Sequence, residues 1–181
     1  MGVTTSTTNA GPTYEPIATQ TLSSNATNVT FSSIPGTYTD LRFVMSPASS
    51  SGTNGIRMRV GNSTLDTGSN YSGTYLDGNG STAASFRDTS NTQNQLSYRL
   101  AIDTTLVQNY TIDFLNYSNT TTYKTMLVRY NSASAAAGTA VLLWRSTSAI
   151  TTFSFNINSF GSSTGDFITG STFTLYGIKA A

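Results

Sequence analysis

The chain of 181 residues contains only one glutamate and two lysines. These residues are strong helix formers that normally cover the exposed side of a helix, so a mainly helical fold would lack its usual surface. The chain has 33 threonines, ten tyrosines and nine phenylalanines instead, and these residues favour strands. The composition therefore predicts an all-β fold.

The size and charge of the chain predict a single folded domain with a short arm. Charged residues make up 9% of the chain and the formal net charge is +1, whereas disordered chains combine few apolar residues with a high net charge. Residues 1–13 are polar, so we expect an extended N-terminal arm and no signal peptide. Residues 14–181 are expected to form the folded domain. No apolar run is long enough to predict a membrane-spanning helix.

Cysteine and histidine are both absent from the sequence. Their absence excludes a zinc site built from these residues, an iron–sulfur cluster, a catalytic thiol and a Ser-His-Asp triad. The near-zero net charge gives no electrostatic reason to expect nucleic acid or an anionic membrane as a partner. We therefore expect no cofactor, no nucleic-acid partner and no membrane partner.

Many short segments alternate apolar and polar residues, which is the pattern of strands with one buried face. The clearest alternating sets are Leu41, Phe43 and Met45; Ile56, Met58 and Val60; Leu96, Tyr98, Leu100 and Ile102; and Phe153, Phe155 and Ile157. Segment 141–144 is apolar on both faces and is expected to be a central strand. About ten such strands, separated by turns, predict a jelly-roll-like antiparallel β-sandwich.

The eight carboxylates do not form a recognisable catalytic set. Most of the aspartates lie beside Gly, Ser, Thr or Asn, where Asp is typical of turns. A glycosidase would need two carboxylates held across a cleft, and nothing in the spacing indicates such a pair. Segments 66–70 and 77–80 offer oxygen ligands suited to Ca²⁺, but neither has the EF-hand spacing or a closing glutamate. We expect plain loops, no metal site and no enzyme.

Four tyrosines flank polar segments instead of apolar ones: Tyr71, Tyr75, Tyr117 and Tyr123. Tyrosine surrounded by Asn and Ser is typical of adaptable binding surfaces and also suits stacking on sugar rings. These side chains are therefore the candidate ligand-contacting residues. The alternative is that each ring closes the end of the core and keeps its hydroxyl group in water.

Several stretches of the chain resemble those of small virion proteins of tailed bacteriophages. They are residues 14–22 (YEPIATQTL), 31–41 (FSSIPGTYTDL), 66–71 (DTGSNY), 144–150 (WRSTSAI) and 173–179 (FTLYGIK). The most specific are F-x-x-I-P-x-T-Y-x-D-L and L-Y-G-I-K. The resemblance implies a jelly-roll-like sandwich that assembles as a trimer on the particle and has no enzymatic activity. It implies no particular binding residue.

The resemblance favours two hypotheses for function, and a third stands apart from it. The first is a trimeric capsid decoration protein on the particle exterior, bound to the major capsid protein or to other virion proteins, with the arm lying across a neighbouring subunit. The second is a tail-fibre or receptor-binding head that recognises host surface glycan. The third is a cellular carbohydrate-binding module or a fragment of a glycosidase. The compact domain without a repetitive shaft favours the first.

Overall fold

The computed structural model describes residues 13–51, 54–98, 100–105, 108–159 and 164–179. Most of the expected arm, residues 1–12, lies outside the described residues. The described part is all-β, with fourteen strands and no helix. The strands are β1 (Tyr14–Thr21), β2 (Asn28–Phe31), β3 (Asp40–Ser46), β4 (Asn54–Asn62), β5 (Thr64–Leu65), β6 (Tyr71–Gly78), β7 (Ala83–Asn91), β8 (Asn94–Gln95), β9 (Gln108–Leu115), β10 (Lys124–Ser132), β11 (Ala136–Trp144), β12 (Thr152–Ser159), β13 (Thr164–Gly165) and β14 (Thr172–Ile178).

The strands form two antiparallel sheets that pack face to face, which confirms the prediction of an all-β sandwich. The larger sheet has eight strands in the order β1-β14-β3-β9-β10-β11-β6-β7. The smaller sheet has six, with the path β13-β12-β4-β5 and with β2 on β12 and β8 on β4. The expected central position of segment 141–144 is also confirmed, because β11 lies between β10 and β6.

Four of the pairings are nested along the chain. The first strand pairs with the last (β1 with β14), and the next pairs inward are β2 with β12, β3 with β9 and β4 with β8. Strands β10, β11, β6 and β7 extend the larger sheet beyond this set. The nesting brings the two ends of the described chain together at one side of the larger sheet.

An aromatic cluster joins the two sheets. Phe43 of the larger sheet stacks on Phe155 of the smaller one, with ring centroids 4.6 Å apart, and meets Phe153 edge-on at 5.4 Å. Phe114 stacks on Phe153 at 5.1 Å. All four rings are completely buried. Such offset and edge-on contacts add to the stabilisation that burial of large rings provides. The chain has no cysteine, so no disulfide links the two sheets.

One predicted strand is wrong. The alternating residues from Leu96 to Ile102 do not form a strand in the described part of that segment, because β8 ends at Gln95. Here Ser97 Oγ donates to the Leu100 carbonyl at 2.9 Å, and the Gln95 side chain donates to the Ser97 carbonyl. These side-chain bonds satisfy carbonyl groups that a ladder would otherwise pair. Leu96, Leu100 and Ile102 are nevertheless buried, as their alternation indicated.

Three of the four strands beyond the predicted ten are too short to be recognised in the sequence. Strands β5, β8 and β13 contain two residues each, which is too short for a period-two pattern to appear in the sequence.

Candidate interaction surface

Three of the four candidate ligand-contacting tyrosines are buried, so their prediction is wrong. Tyr71, Tyr75 and Tyr117 expose 1% or less of their surface. Tyr71 and Tyr75 lie at inward positions of β6, and Tyr117 follows β9. Tyr123 differs, since 56% of its surface is exposed.

The three hydroxyl groups bond to protein atoms, and the side chains are buried, which also corrects the alternative reading of these residues. The Tyr71 hydroxyl lies 2.8 Å from the Asp66 carbonyl and 2.9 Å from the Val60 carbonyl, and it accepts from the Val60 N–H at 3.2 Å. The Tyr117 hydroxyl donates to the Pro35 carbonyl. Burial raises the pKa of Tyr71 well above its usual value. These rings therefore organise loops from within the core.

Tyr75 joins the hairpin of β6 and β7 to the smaller sheet. Its hydroxyl lies 3.1 Å from the Gln95 carbonyl and 3.2 Å from Asp88 Oδ2. Burial raises the pKa of Tyr75, with the neighbouring Asp88 carboxylate adding to the effect. Burial also raises the pKa of Asp88. The cluster is a buried link between the two sheets and offers no open ring face at Tyr75.

Tyr123 lies on a loop that is fixed from two sides. The Asn119 Oδ1 atom accepts from the N–H groups of Thr121 and Thr122 at 2.7 and 2.9 Å. The next residue, Lys124, is buried and its Nζ donates to the Thr122 and Thr147 carbonyls at 2.7 and 3.1 Å. Burial lowers the pKa of Lys124. The exposed Tyr123 ring therefore sits on an ordered loop.

The first of the two oxygen-rich loops uses its carboxylate internally. Asp66 accepts from the Gly68 N–H at 2.7 Å, from Asn70 Nδ2 at 2.9 Å and from Trp144 Nε1 at 2.7 Å. Burial alone would raise the pKa of Asp66, but these donors together outweigh it and lower the pKa. A carboxylate held in this way is a structural acceptor.

The second loop is the turn of the β6–β7 hairpin. Asn79 Oδ1 accepts from the N–H groups of Ser81 and Thr82 at 3.1 and 2.8 Å, and Gly80 has a φ of 87°. Among the described residues, no three Asp or Glu side chains come together in a way that could hold a metal ion.

The outer face of the larger sheet is the face turned away from the smaller sheet, and it carries an ion pair at its centre. Arg42 on β3 donates two hydrogen bonds to Asp113 on β9, at 2.6 and 3.1 Å. Arg129 on β10 adds a longer contact to the same carboxylate, at 3.7 Å. The pairing raises the pKa of Arg42. Asp113 is thus paired with two arginines.

Apolar side chains continue this face beyond the ion pair. The register places Asp113 opposite Leu127, Leu127 opposite Val141, and Val141 opposite Thr74. Leu127 and Val141 expose 38% and 53% of their surface, and Leu76, on the adjacent row, exposes 58%. We call Leu76, Leu127 and Val141 the apolar patch. Exposed apolar groups gathered in one place are typical of contact surfaces.

The sequence contained a signal for this patch. Segment 141–144 is apolar on both faces, which indicated a central strand but also placed Val141 on the face opposite Leu142 and Trp144. Which face would be covered could not be decided without the position of the smaller sheet.

No protein-family model matches the chain, and a search of curated proteins finds no significant match. Within the described residues, no helix is long and apolar enough to cross a membrane.

Proposed function

We propose that the chain is a virion structural protein that coats the capsid exterior as a trimeric decoration protein. The observation that carries this proposal is the nested strand pairing. In the proposal, β1-β14-β3-β9 and β2-β12-β4-β8 are the two four-stranded halves of a jelly roll, the double Greek-key fold that the resemblance to phage virion proteins implies. Strands β10, β11, β6 and β7 then form a lateral extension of one half.

The outer face of the larger sheet supports the trimer. The apolar patch lies on the extension, and threonines surround it in the register, Thr74 and Thr139 among them. Packing against other copies would remove the exposed Leu and Val surface from water, which is favourable by about 25 cal/mol for each square ångström. The remaining polar surface is left for the major capsid protein.

The test uses a patch variant and a control from the same strand and face. Leu127→Asp places a charge in the patch, whereas Thr125→Asp places the same charge at the neighbouring outward position. We expect the wild-type protein and Thr125→Asp to sediment with a mass that is a multiple of three chains and to bind particles that lack the protein. Leu127→Asp should lose the assembly in multiples of three and should not bind the particles, with an unchanged circular dichroism spectrum. Trimers that bind normally despite Leu127→Asp would contradict the proposal.

A receptor-binding head that recognises host glycan is the second candidate, and Tyr123 is the observation that favours it. Its ring is exposed on an ordered loop with Asn and Thr around it, an arrangement suited to stacking on a sugar. Glycan-array binding that is lost in Tyr123→Ala and kept in Tyr123→Phe would support this candidate. Absence of binding to any glycan and to host cells would exclude it.

A further inference from the structure

The two edge strands of the larger sheet are protected very differently. Edge β1 carries Pro16, which has no N–H to offer, and its register with β14 is irregular between Pro16 and Ala18. An ion pair of 2.9 Å between Glu15 and Lys179 lies at the same edge. Proline, irregular register and charge are the usual means by which an edge strand avoids pairing with another chain.

Edge β7 has few of these features. Its sequence AASFRDTSN contains no proline, its charged residues are Arg87 and Asp88, and its register with β6 is regular from Ala83 to Asp88. An irregularity appears only towards its end, near Ser90, whose φ is 58°. Most of its side chains are exposed, including Phe86. Six consecutive residues of β7 thus present an open edge in the described structure.

The hydrogen bonds of the β6–β7 hairpin determine which backbone groups of β7 point away from the sheet. The Asn79 N–H donates to the Thr82 carbonyl at 3.2 Å, which makes these two residues a hydrogen-bonded pair. Because such pairs alternate along an antiparallel ladder, Ala84, Phe86 and Asp88 bond to β6. The N–H and carbonyl groups of the alternate residues, Ala83, Ser85 and Arg87, therefore point away from the sheet.

We propose that this edge pairs with the β7 strand of a second copy of the chain, antiparallel and about a two-fold axis at Phe86. In this register Phe86 lies opposite Phe86 of the partner subunit in a non-hydrogen-bonded pair, where side chains approach most closely. Ser85 forms a hydrogen-bonded pair with Arg87 of the partner subunit. By symmetry, Arg87 forms a hydrogen-bonded pair with Ser85 of the partner subunit. The two larger sheets become one continuous sheet of sixteen strands.

Repulsion between arginines disfavours one of the two neighbouring registers. A shift by two residues in one direction would place Arg87 directly opposite Arg87 of the partner subunit, which is repulsive. In the proposed register Arg87 faces a serine, and Asp88 faces Ala84 of the partner subunit. The surface is therefore self-complementary, as a two-fold interface requires.

The contact is separate from the apolar patch and does not depend on the proposed virion role. If the protein is also a trimer, the β7 contact joins one trimer to the next, and the mass in solution is that of an even number of chains. Failure of the β7 pairing would leave the proposed trimer and its own test unaffected.

The absence of native cysteine allows a direct test of the register. Phe86→Cys places two sulfurs across the two-fold axis, where Cα atoms of a non-hydrogen-bonded pair lie about 4.5 Å apart and a disulfide can close. Ser85→Cys is the matched control, because its nearest copy lies diagonally at about 7 Å or more. On mild oxidation we expect a disulfide-linked dimer from Phe86→Cys and little from Ser85→Cys. Equal yields from the two variants, or no dimer from either, would overturn the proposal.

A second pair of variants tests the pairing without oxidation. Ser85→Pro removes an N–H that points away from β6, so the internal ladder is kept, while Ser85→Ala leaves that N–H in place. Light scattering should give Ser85→Pro half the mass of Ser85→Ala at a similar melting temperature. Equal masses for the wild-type protein and both variants would overturn the proposal.

Discussion

The two faces of the larger sheet are formed by the same strands, but their side chains differ in burial and in polarity. On the inner face, one row runs through Phe43, Ile112, Val128 and Ala140, all buried. One residue along each strand, the outer row contains Arg42, Asp113, Leu127 and Val141. The inner row packs against the smaller sheet, whereas the outer row lies at the surface, where the proposed trimer would use it. The comparison teaches that residues which stabilise the fold and residues open to contact alternate along the same strands.

The largest expected effect lies on the inner face. Phe43→Ala removes a ring that contacts Phe153, Phe155 and Phe173, and we expect it to lower the free energy of unfolding by about 3–5 kcal/mol. The neighbouring outward residue supplies the control, since Val44→Ala should lower it by about 1 kcal/mol or less. Urea unfolding followed by tryptophan fluorescence measures both. Equal losses of unfolding free energy in the two variants would contradict the difference between the two faces.

The loop that contains Asp66 should make the stability depend on acid pH. The pKa of Asp66 is lowered in the folded state, so its contribution is complete above the unfolded pKa of about 3.9 and is lost as pH falls through the folded value. Asp66→Asn should therefore be less stable than the wild type at pH 7, by about 1–3 kcal/mol.

The difference in stability between Asp66→Asn and the wild type should shrink as the pH falls below about 4. Chemical unfolding at several pH values gives this difference. A difference that is constant down to pH 3 would show that the charge of Asp66 is not what the loop uses.

Tyr71 and Tyr123 lie in similar sequence contexts, and they allow a buried hydroxyl group to be compared with an exposed one. Tyr71→Phe leaves buried backbone groups of Val60 and Asp66 without their partner, and we expect a loss of about 1 kcal/mol. Tyr123→Phe removes a hydroxyl from an exposed ring and should leave the stability unchanged. Thermal unfolding of the two variants side by side measures the effect, and a loss at Tyr123 as large as at Tyr71 would contradict the structure.

The smallest effect is expected at the ion pair of the outer face. Arg42→Gln removes the double hydrogen bond to Asp113, yet both groups are partly exposed and Arg129 stays near the carboxylate. The loss of stability should be below about 1 kcal/mol and should decrease further in high salt. A loss comparable to that of Phe43→Ala would show that the outer face also holds the fold together.

Much of this fold was predictable from the alternation of side chains, and the limits of the prediction are physical. Strand β3, with Leu41, Phe43 and Met45 inward, follows its sequence pattern directly. Tyr71 and Tyr117 were misread because their polar neighbours in sequence suggested exposure, whereas their hydroxyl groups bond to the buried side of the loops at Asp66 and Pro35. That arrangement depends on contacts between distant segments.

The contact surfaces were less predictable than the core. The outward position of Leu127 and Val141 follows from alternation, but their lying side by side depends on the register of β10 with β11. The open edge at β7 depends on strand order, since an edge strand and a central strand with this composition read alike. Both surfaces needed the sheet to be assembled before they could be recognised.

The most direct test of the proposed function is immunogold labelling of intact particles with an antibody to this protein. A decoration protein predicts gold distributed evenly over the head. Gold confined to the tail or its fibres would contradict the capsid location and favour the glycan-binding candidate with Tyr123. Particles without any label would contradict the virion role altogether.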